Sequence, residues 1–232
     1  SNGIECAKLA KLGMTSCDDG LMGDQGFIPT HSDAPGSEIA PAGAFLFGDI
    51  SYKFHACCHG THAMIEALIE VLPEIGGRME DIASLTLRTN PRWLKVCNIP
   101  APQTGLEVKF SYTWLAGMVI EGRNTGAFET YCDDLSRDPA LSAFAQKVEV
   151  IGDETLTDMQ AEGELEFADG RKVAFSHDLA RRPAPDALAM KLRAKAKAVL
   201  GDGVDRIAPI LERLSGLSAT DLGDIVRGGD DV

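Results

Sequence analysis

The residues best suited to chemistry in this chain lie in one run, Ser51 to His62, reading S-Y-K-F-H-A-C-C-H-G-T-H. It holds three of the five histidines, two of the six cysteines and Lys53. No acidic residue interrupts it, the nearest being Asp49 and Glu66. Three chemistries are open to such a run: a metal site, a thiol site, or the wall of a pocket for an anion. Structural zinc sites space their cysteines so that both sulfurs reach one tetrahedral centre. Adjacent Cys57 and Cys58 point apart, and no second Cys/His pair follows at a suitable distance, so no metal is implied. A thiol nucleophile needs a lowered pKa, which imidazolium groups and a helix N-terminus supply. Cys58, flanked by His55, His59 and His62, is the candidate. An anion pocket would use Lys53, helix N-terminal N–H groups and the imidazoles of His59 or His62. Taken singly, Lys53 reads as a surface lysine and His62 as an exposed partner of Glu66 one helical turn on. Taken together within an acid-free run, they favour the pocket.

These residues need elements to hold them. Thr61 to Leu72 is an amphipathic helix, with Met64, Ile65, Leu68, Val71 and Leu72 on its apolar face and Glu66 and Glu70 opposite. The cysteines and His59 therefore sit just before a helix start, and Ala44 to Ile50 is a plausible strand leading in. Asp81 to Arg88 alternates as a strand, Leu106 to Glu121 reads as one helix ending at Gly122, and Pro139 to Gln146 is a helix capped by Asp138. Met159 to Phe167 alternates cleanly. A three-residue loop, Ala168-Asp169-Gly170, would pair Leu165 with Val173 and Glu166 with Lys172, which keeps one face of the hairpin apolar. Gly3 to Leu12 is helical and stops at Gly13, Asp18 to Ser37 reads as turns and loop, and the segments Asp186 to Leu200, Val204 to Leu214 and Thr220 to Val226 are helical.

Composition narrows the function classes. A net charge of −13 argues against nucleic acid as the main partner, because phosphate binding needs clustered Lys and Arg. No apolar run is long enough to span a bilayer, and no signal peptide is seen. Scattered cysteines in a chain with a real core read as free thiols of a cytoplasmic protein. Ile82 to Leu106 has no acidic residue but carries Arg88, Arg92 and Lys95, so this stretch can offer a locally positive surface to an anion.

Two longer motifs are familiar. K-F-H-A-C-C-H-G-T-H resembles the K-P-Y-P-x-C-x-x-T-H segment of the MmgE/PrpD family. P-A-P-Q-T-G-L-E-V-K-F-S, Pro100 to Ser111, resembles that family's P-x-T-G-L-E-A-K-F-S. The stretch from Asp138 to Val150, the A-D-G-R hairpin and the late K-L-R-A-K-A (Lys191 to Ala196) follow in the family's order. The family includes 2-methylcitrate dehydratase, cis-aconitate decarboxylase and iminodisuccinate epimerase. The resemblance implies an α+β lid domain with a mixed, mostly antiparallel sheet, flanked by segments of an all-α domain. Its boundaries would be 1–43 for the end of the helical domain, 44–180 for the lid, and 181–232 for helices returning to the helical domain.

The resemblance further implies a small anionic carboxylate substrate, no required cofactor, a homodimer, and a proton abstracted α to a carboxylate. Lys53 would contact a substrate carboxylate, Cys58 would line the pocket, and His59 or His62 would assist proton transfer. The main base would lie in the helical half, beyond this chain. The chain departs from the pattern where Phe54-His55-Ala56 replaces P-Y-P, where His59 replaces a common arginine, and where Val96-Cys97 stands in place of a tyrosine carried by decarboxylase-like members. Dehydration, epimerisation and a non-catalytic binding or assembly module are the functions these residues leave open.

Overall fold

The computed structural model describes residues 2–33, 43, 50–76, 78–211 and 213–227. The chain divides into two compact units, Ser1–Ser51 and Tyr52–Val232. In the first, helix α1 (Asn2–Lys11) stops at Gly13, whose φ of 92° suits a residue without Cβ. A short helix α2 (Phe27–His31) then interrupts the stretch expected to be all loop. The strand expected over Ala44 to Ile50 falls almost wholly outside the described residues.

The second unit is built on a four-stranded sheet ordered β2-β1-β3-β4, formed by β1 (Ile82–Thr89), β2 (Val148–Gly152), β3 (Gln160–Phe167) and β4 (Lys172–Asp178). β1 pairs with β2 in parallel and with β3 antiparallel, and β3 pairs antiparallel with β4. The fold is thus α+β with a mixed, mostly antiparallel sheet, as expected. The β3–β4 register pairs Leu165 with Val173 and Glu166 with Lys172, and Gly170 takes φ 85° in the connecting loop. A one-residue slip of β3 would have turned Leu165 and Phe167 toward water. Leu85, Leu87, Ala161, Leu165, Phe167, Val173 and Phe175 are all buried. Glu164 accepts from Lys172 at 2.7 Å on the opposite, wet face.

Helix α3 (His62–Ile75) packs across β3 and β4 and against α6 (Tyr112–Ile120), which in turn packs on α7 (Pro139–Ala145) and β2. Met64, Ile65, Leu68, Leu115 and Met118 are fully buried at the centre, each worth roughly 1.5–3 kcal/mol relative to exposure. The segment read as one helix from Leu106 to Glu121 is two. A short α5 (Gly105–Val108), capped by Thr104, ends before Lys109, and α6 restarts with Ser111 as its cap. Ser111 forms an isolated bridge to Asn98, which turns the backbone between the two pieces. A short helix α4 (Pro91–Leu94) follows β1, with Asn90 as its cap. Asp138 caps α7 by accepting from the N–H groups of Ala140 and Leu141, as expected. Helices α8 (Pro185–Leu200), α9 (Gly203–Leu211) and α10 (Ala219–Arg227) end the described chain.

Candidate functional site

The segment from Phe54 to Thr61 has no regular structure until a 3₁₀ turn, His59–Thr61, leads into α3. Its backbone is pinned from three sides. Ala56 N–H donates to Thr125 C=O at 2.8 Å, and Cys58 N–H donates to Lys109 C=O at 3.0 Å. The buried Tyr112 hydroxyl donates to Gly60 C=O at 2.7 Å. Gly60 is obligatory for space: a Cβ there would lie 2.5 Å from the Trp93 ring and 2.9 Å from Cys97 Sγ. The loop therefore has a fixed shape although it is neither helix nor strand.

The three histidines of this run take different roles. His55 is buried and hydrogen-bonds Thr125 Oγ1 through Nδ1 at 2.7 Å and Glu66 Oε1 through Nε2 at 3.2 Å. Glu66 also accepts from the Lys191 ammonium of α8. Burial pushes the Glu66 carboxyl up, but these hydrogen bonds and the Lys191 charge prevail and hold it at about 2. Glu66 was expected on an exposed helix face beside His62. Instead both are 3% exposed and unpaired with each other, because α3 is covered on both sides over its first two turns.

His62 stands edge-on to His55, with ring centroids 5.0 Å apart, and 5.6 Å from His59. Its Nε2 is the buried side-chain atom that lacks a hydrogen-bond partner among the described residues. Burial, then the charges of His55, His59 and Lys53, lower its pKa to about 3, so it is a neutral imidazole at neutral pH. His59 is exposed and packs edge-on toward Trp93.

No imidazole pairs with a thiol here. The Cys58 sulfur accepts from the Cys97 thiol at 3.1 Å, and Cys57 Sγ lies 3.2 Å from Thr61 Oγ1. Burial pushes the Cys57 thiol up. Among the described residues no group of three His, Cys, Asp or Glu side chains is placed to hold a metal ion.

Besides Lys53, the positive charge comes from lysines the sequence did not single out. Arg88 and Arg92, in the acid-free stretch, are committed elsewhere: Arg88 to Asp153, and Arg92 to Asp158 at 2.6 Å. Two of the three cations expected to offer a positive surface are thereby neutralised by partners more than sixty residues away, whereas Lys95 is exposed. Lys53 and Lys109 lie close enough to Lys195 for their charges to act on it. Lys109 and Lys195 flank the exposed Phe128 ring, with Nζ 5.5 Å and 5.3 Å from its centroid, and Lys109 also lies 5.0 Å from the Tyr131 ring. The Lys195 pKa is lowered by burial and by the charges of Lys53 and Lys109. Its Nζ donates to Gly126 C=O at 2.7 Å. None of the three ammonium groups has a carboxylate within ion-pair distance among the described residues. Lys109 lies in the V-K-F-S motif and Lys195 in K-L-R-A-K-A, so the motifs marked the segments but not their meeting point.

Beside this cluster is a cavity of about 400 Å³, walled by Phe54, His55, Glu66, Thr125, Lys191 and Lys195 among others. No helix among the described residues is long and apolar enough to cross a membrane. Residues 55–215 match the family model of the MmgE/PrpD C-terminal domain, a match that begins just past Lys53. No curated protein matches the chain.

Proposed function

Because this chain belongs to the MmgE/PrpD family, a family of small-carboxylate lyases and isomerases, we propose that it supplies part of the site of a 2-methylcitrate dehydratase-like enzyme. In this reading a base removes a proton α to a carboxylate of a small di- or tricarboxylate. The chain's own residues bind that substrate and stabilise the charge that develops. The observation that carries the reading is the group of Lys53, Lys109 and Lys195, three ammonium groups without carboxylate partners among the described residues, in a chain of net charge −13. Ammonium groups left together in this way repel one another, and a polyanion relieves the repulsion.

Each residue then has a chemical task. Lys53 contacts a substrate carboxylate, and Lys109 and Lys195 hold a second anionic group over Phe128. When the α-proton leaves, negative charge spreads onto carboxylate oxygens as an enediolate, where preorganised cations count most. Exposed His59 serves in proton transfer to the departing oxygen. His62, a neutral imidazole buried beside the exposed His59, supports that ring from behind, and Cys58 lines the same wall. The α+β portion acts as a lid, and the principal base is contributed by the family's helical domain. The residue before Asn98 is Cys97, not a tyrosine, which favours dehydration or epimerisation over decarboxylation.

A thermal-shift screen of the intact protein against citrate, 2-methylcitrate, aconitate and an iminodisuccinate analogue tests this reading. The reading predicts saturable stabilisation by at least one of the four, growing with ligand concentration by mass action. A flat response to all four would overturn it.

A further inference from the structure

We infer that Cys58 and Cys97 form a reversible dithiol–disulfide pair that responds to small-molecule disulfides and switches the neighbouring carboxylate site. Their sulfurs lie 3.1 Å apart, although the residues are 39 positions apart in sequence. A disulfide needs about 2.0 Å, so a movement of roughly 1 Å closes the bond. The two backbones are held in register by the same short stretch. Cys58 N–H donates to Lys109 C=O at 3.0 Å, and Tyr112 N–H donates to Cys97 C=O at 3.1 Å. Approach of the sulfurs therefore needs side-chain rotation, with the backbone hydrogen bonds intact.

The pair is also asymmetric: burial, then the neighbouring Cys58, push the Cys97 thiol far up, so its proton leaves only as its sulfur attacks. Cys58 is half-buried, whereas Cys97 is fully buried. Cys58 is accordingly the sulfur that meets an incoming disulfide, and Cys97 the one that resolves the adduct. The cavity around Cys97 is tight, since a Cβ on Gly60 would already lie 2.9 Å from its sulfur. On the Gly60 side there is thus no space for added atoms, and the sulfur faces Cys58 on the other. Cys57, next in sequence, is turned away toward Thr61.

The chemistry balances as thiol–disulfide exchange. The Cys58 thiolate attacks one sulfur of a small disulfide R–S–S–R, forming a mixed disulfide and releasing one thiolate, which takes up the Cys58 proton. The Cys97 sulfur then attacks Cys58 Sγ, its proton passing to the second departing thiolate. Two R–SH are released, the small disulfide is reduced by two electrons, and the cysteine pair is oxidised by two. The bond would draw Cys58 toward Trp93 and Cys97 and tie the His59–Thr61 turn to the wall behind it. That this lowers carboxylate binding rests on the function proposed above; formation of the bond does not.

The test uses the intact protein with exposed Cys6, Cys17 and Cys132 replaced by serine, equilibrated with glutathione disulfide. Unreacted thiols are then alkylated under denaturing conditions and the peptides mapped. The expected result is a Cys58–Cys97 crosslink with Cys57 alkylated, reversed by dithiothreitol. In the same background Cys97→Ser should hold Cys58 as its glutathione adduct. A wild-type pair that remains alkylated, or that stops at the Cys58 adduct, or a Cys57–Cys58 bond, would overturn the pair. Citrate-induced thermal stabilisation, measured on both forms, should fall at least tenfold in apparent affinity on oxidation. Equal affinity would overturn the switch. Absence of stabilisation of the reduced form by citrate, 2-methylcitrate, aconitate and the iminodisuccinate analogue alike would instead count against the carboxylate reading, leaving the crosslink map to decide the pair.

Discussion

Nε2 of His55 lies 3.2 Å from Oε1 of Glu66, and this contact determines what the other histidines can do. With Glu66 taken by His55 and Lys191, His62 is left buried, neutral and with a free ring nitrogen. A polar network of this kind is stable only while every member is satisfied. The first consequence concerns Glu66. Replacing it with glutamine removes the charge that Lys191 and His55 face. We expect Glu66→Gln to destabilise the protein by about 2 kcal/mol at pH 7, read as a lower denaturant midpoint with unchanged slope. The folded carboxyl titrates at about 2 and the unfolded one at 4.5, so its contribution is whole above pH 4.5 and lost as the pH falls toward 2. Wild type and variant should converge in acid; a constant gap down to pH 2 would contradict the assignment.

His62 acts in a separate pH window. Its folded pKa is about 3 against 6.5 unfolded, so the unfolded chain takes up a proton that the native state refuses. Stability is whole above pH 6.5 and declines as the pH falls from 6.5 toward 3, by at most about 1.4 kcal/mol per unit. His62→Gln should flatten the stability profile between pH 6.5 and 4.5, a range in which the Glu66 contribution is constant. Parallel profiles for variant and wild type would show that the ring is charged in the fold.

Gly60 gives a packing prediction. An added methyl would meet the Trp93 ring and the Cys97 sulfur, and the Tyr112 hydroxyl holds the Gly60 carbonyl so that the backbone cannot retreat. Gly60→Ala should cost roughly 1–3 kcal/mol in urea unfolding, the scale of overpacking a close-packed site. It should also slow closure of the Cys58–Cys97 bond by displacing Cys97.

What was legible in the sequence is what local pattern can encode. The hairpin register followed from keeping Leu165 and Val173 on one face, and the Asp138 cap from its place before Pro139. Strand β2 was not legible, because its five residues alternate weakly and are at best half-buried at the sheet edge. The acid-free stretch misled for a physical reason: the partners of Arg88 and Arg92 come from the loops flanking residues 153 and 158, on the far side of β2 in sequence. Likewise no periodicity could show that residues 53, 109 and 195 share one patch. The Lys53 segment stood out by composition, whereas Lys109 and Lys195 were visible only as members of motifs, and their convergence is a property of the fold.

The central claim is that Lys53, Lys109 and Lys195 form an anion site for a small polycarboxylate. Calorimetric titration of the intact protein with citrate, beside single lysine-to-glutamine variants and the triple variant, tests it most directly. The account predicts one saturable site, weakened about tenfold by each single change, the scale of one charge-assisted contact, and no measurable binding in the triple variant. Citrate affinity unchanged in the triple variant would contradict it.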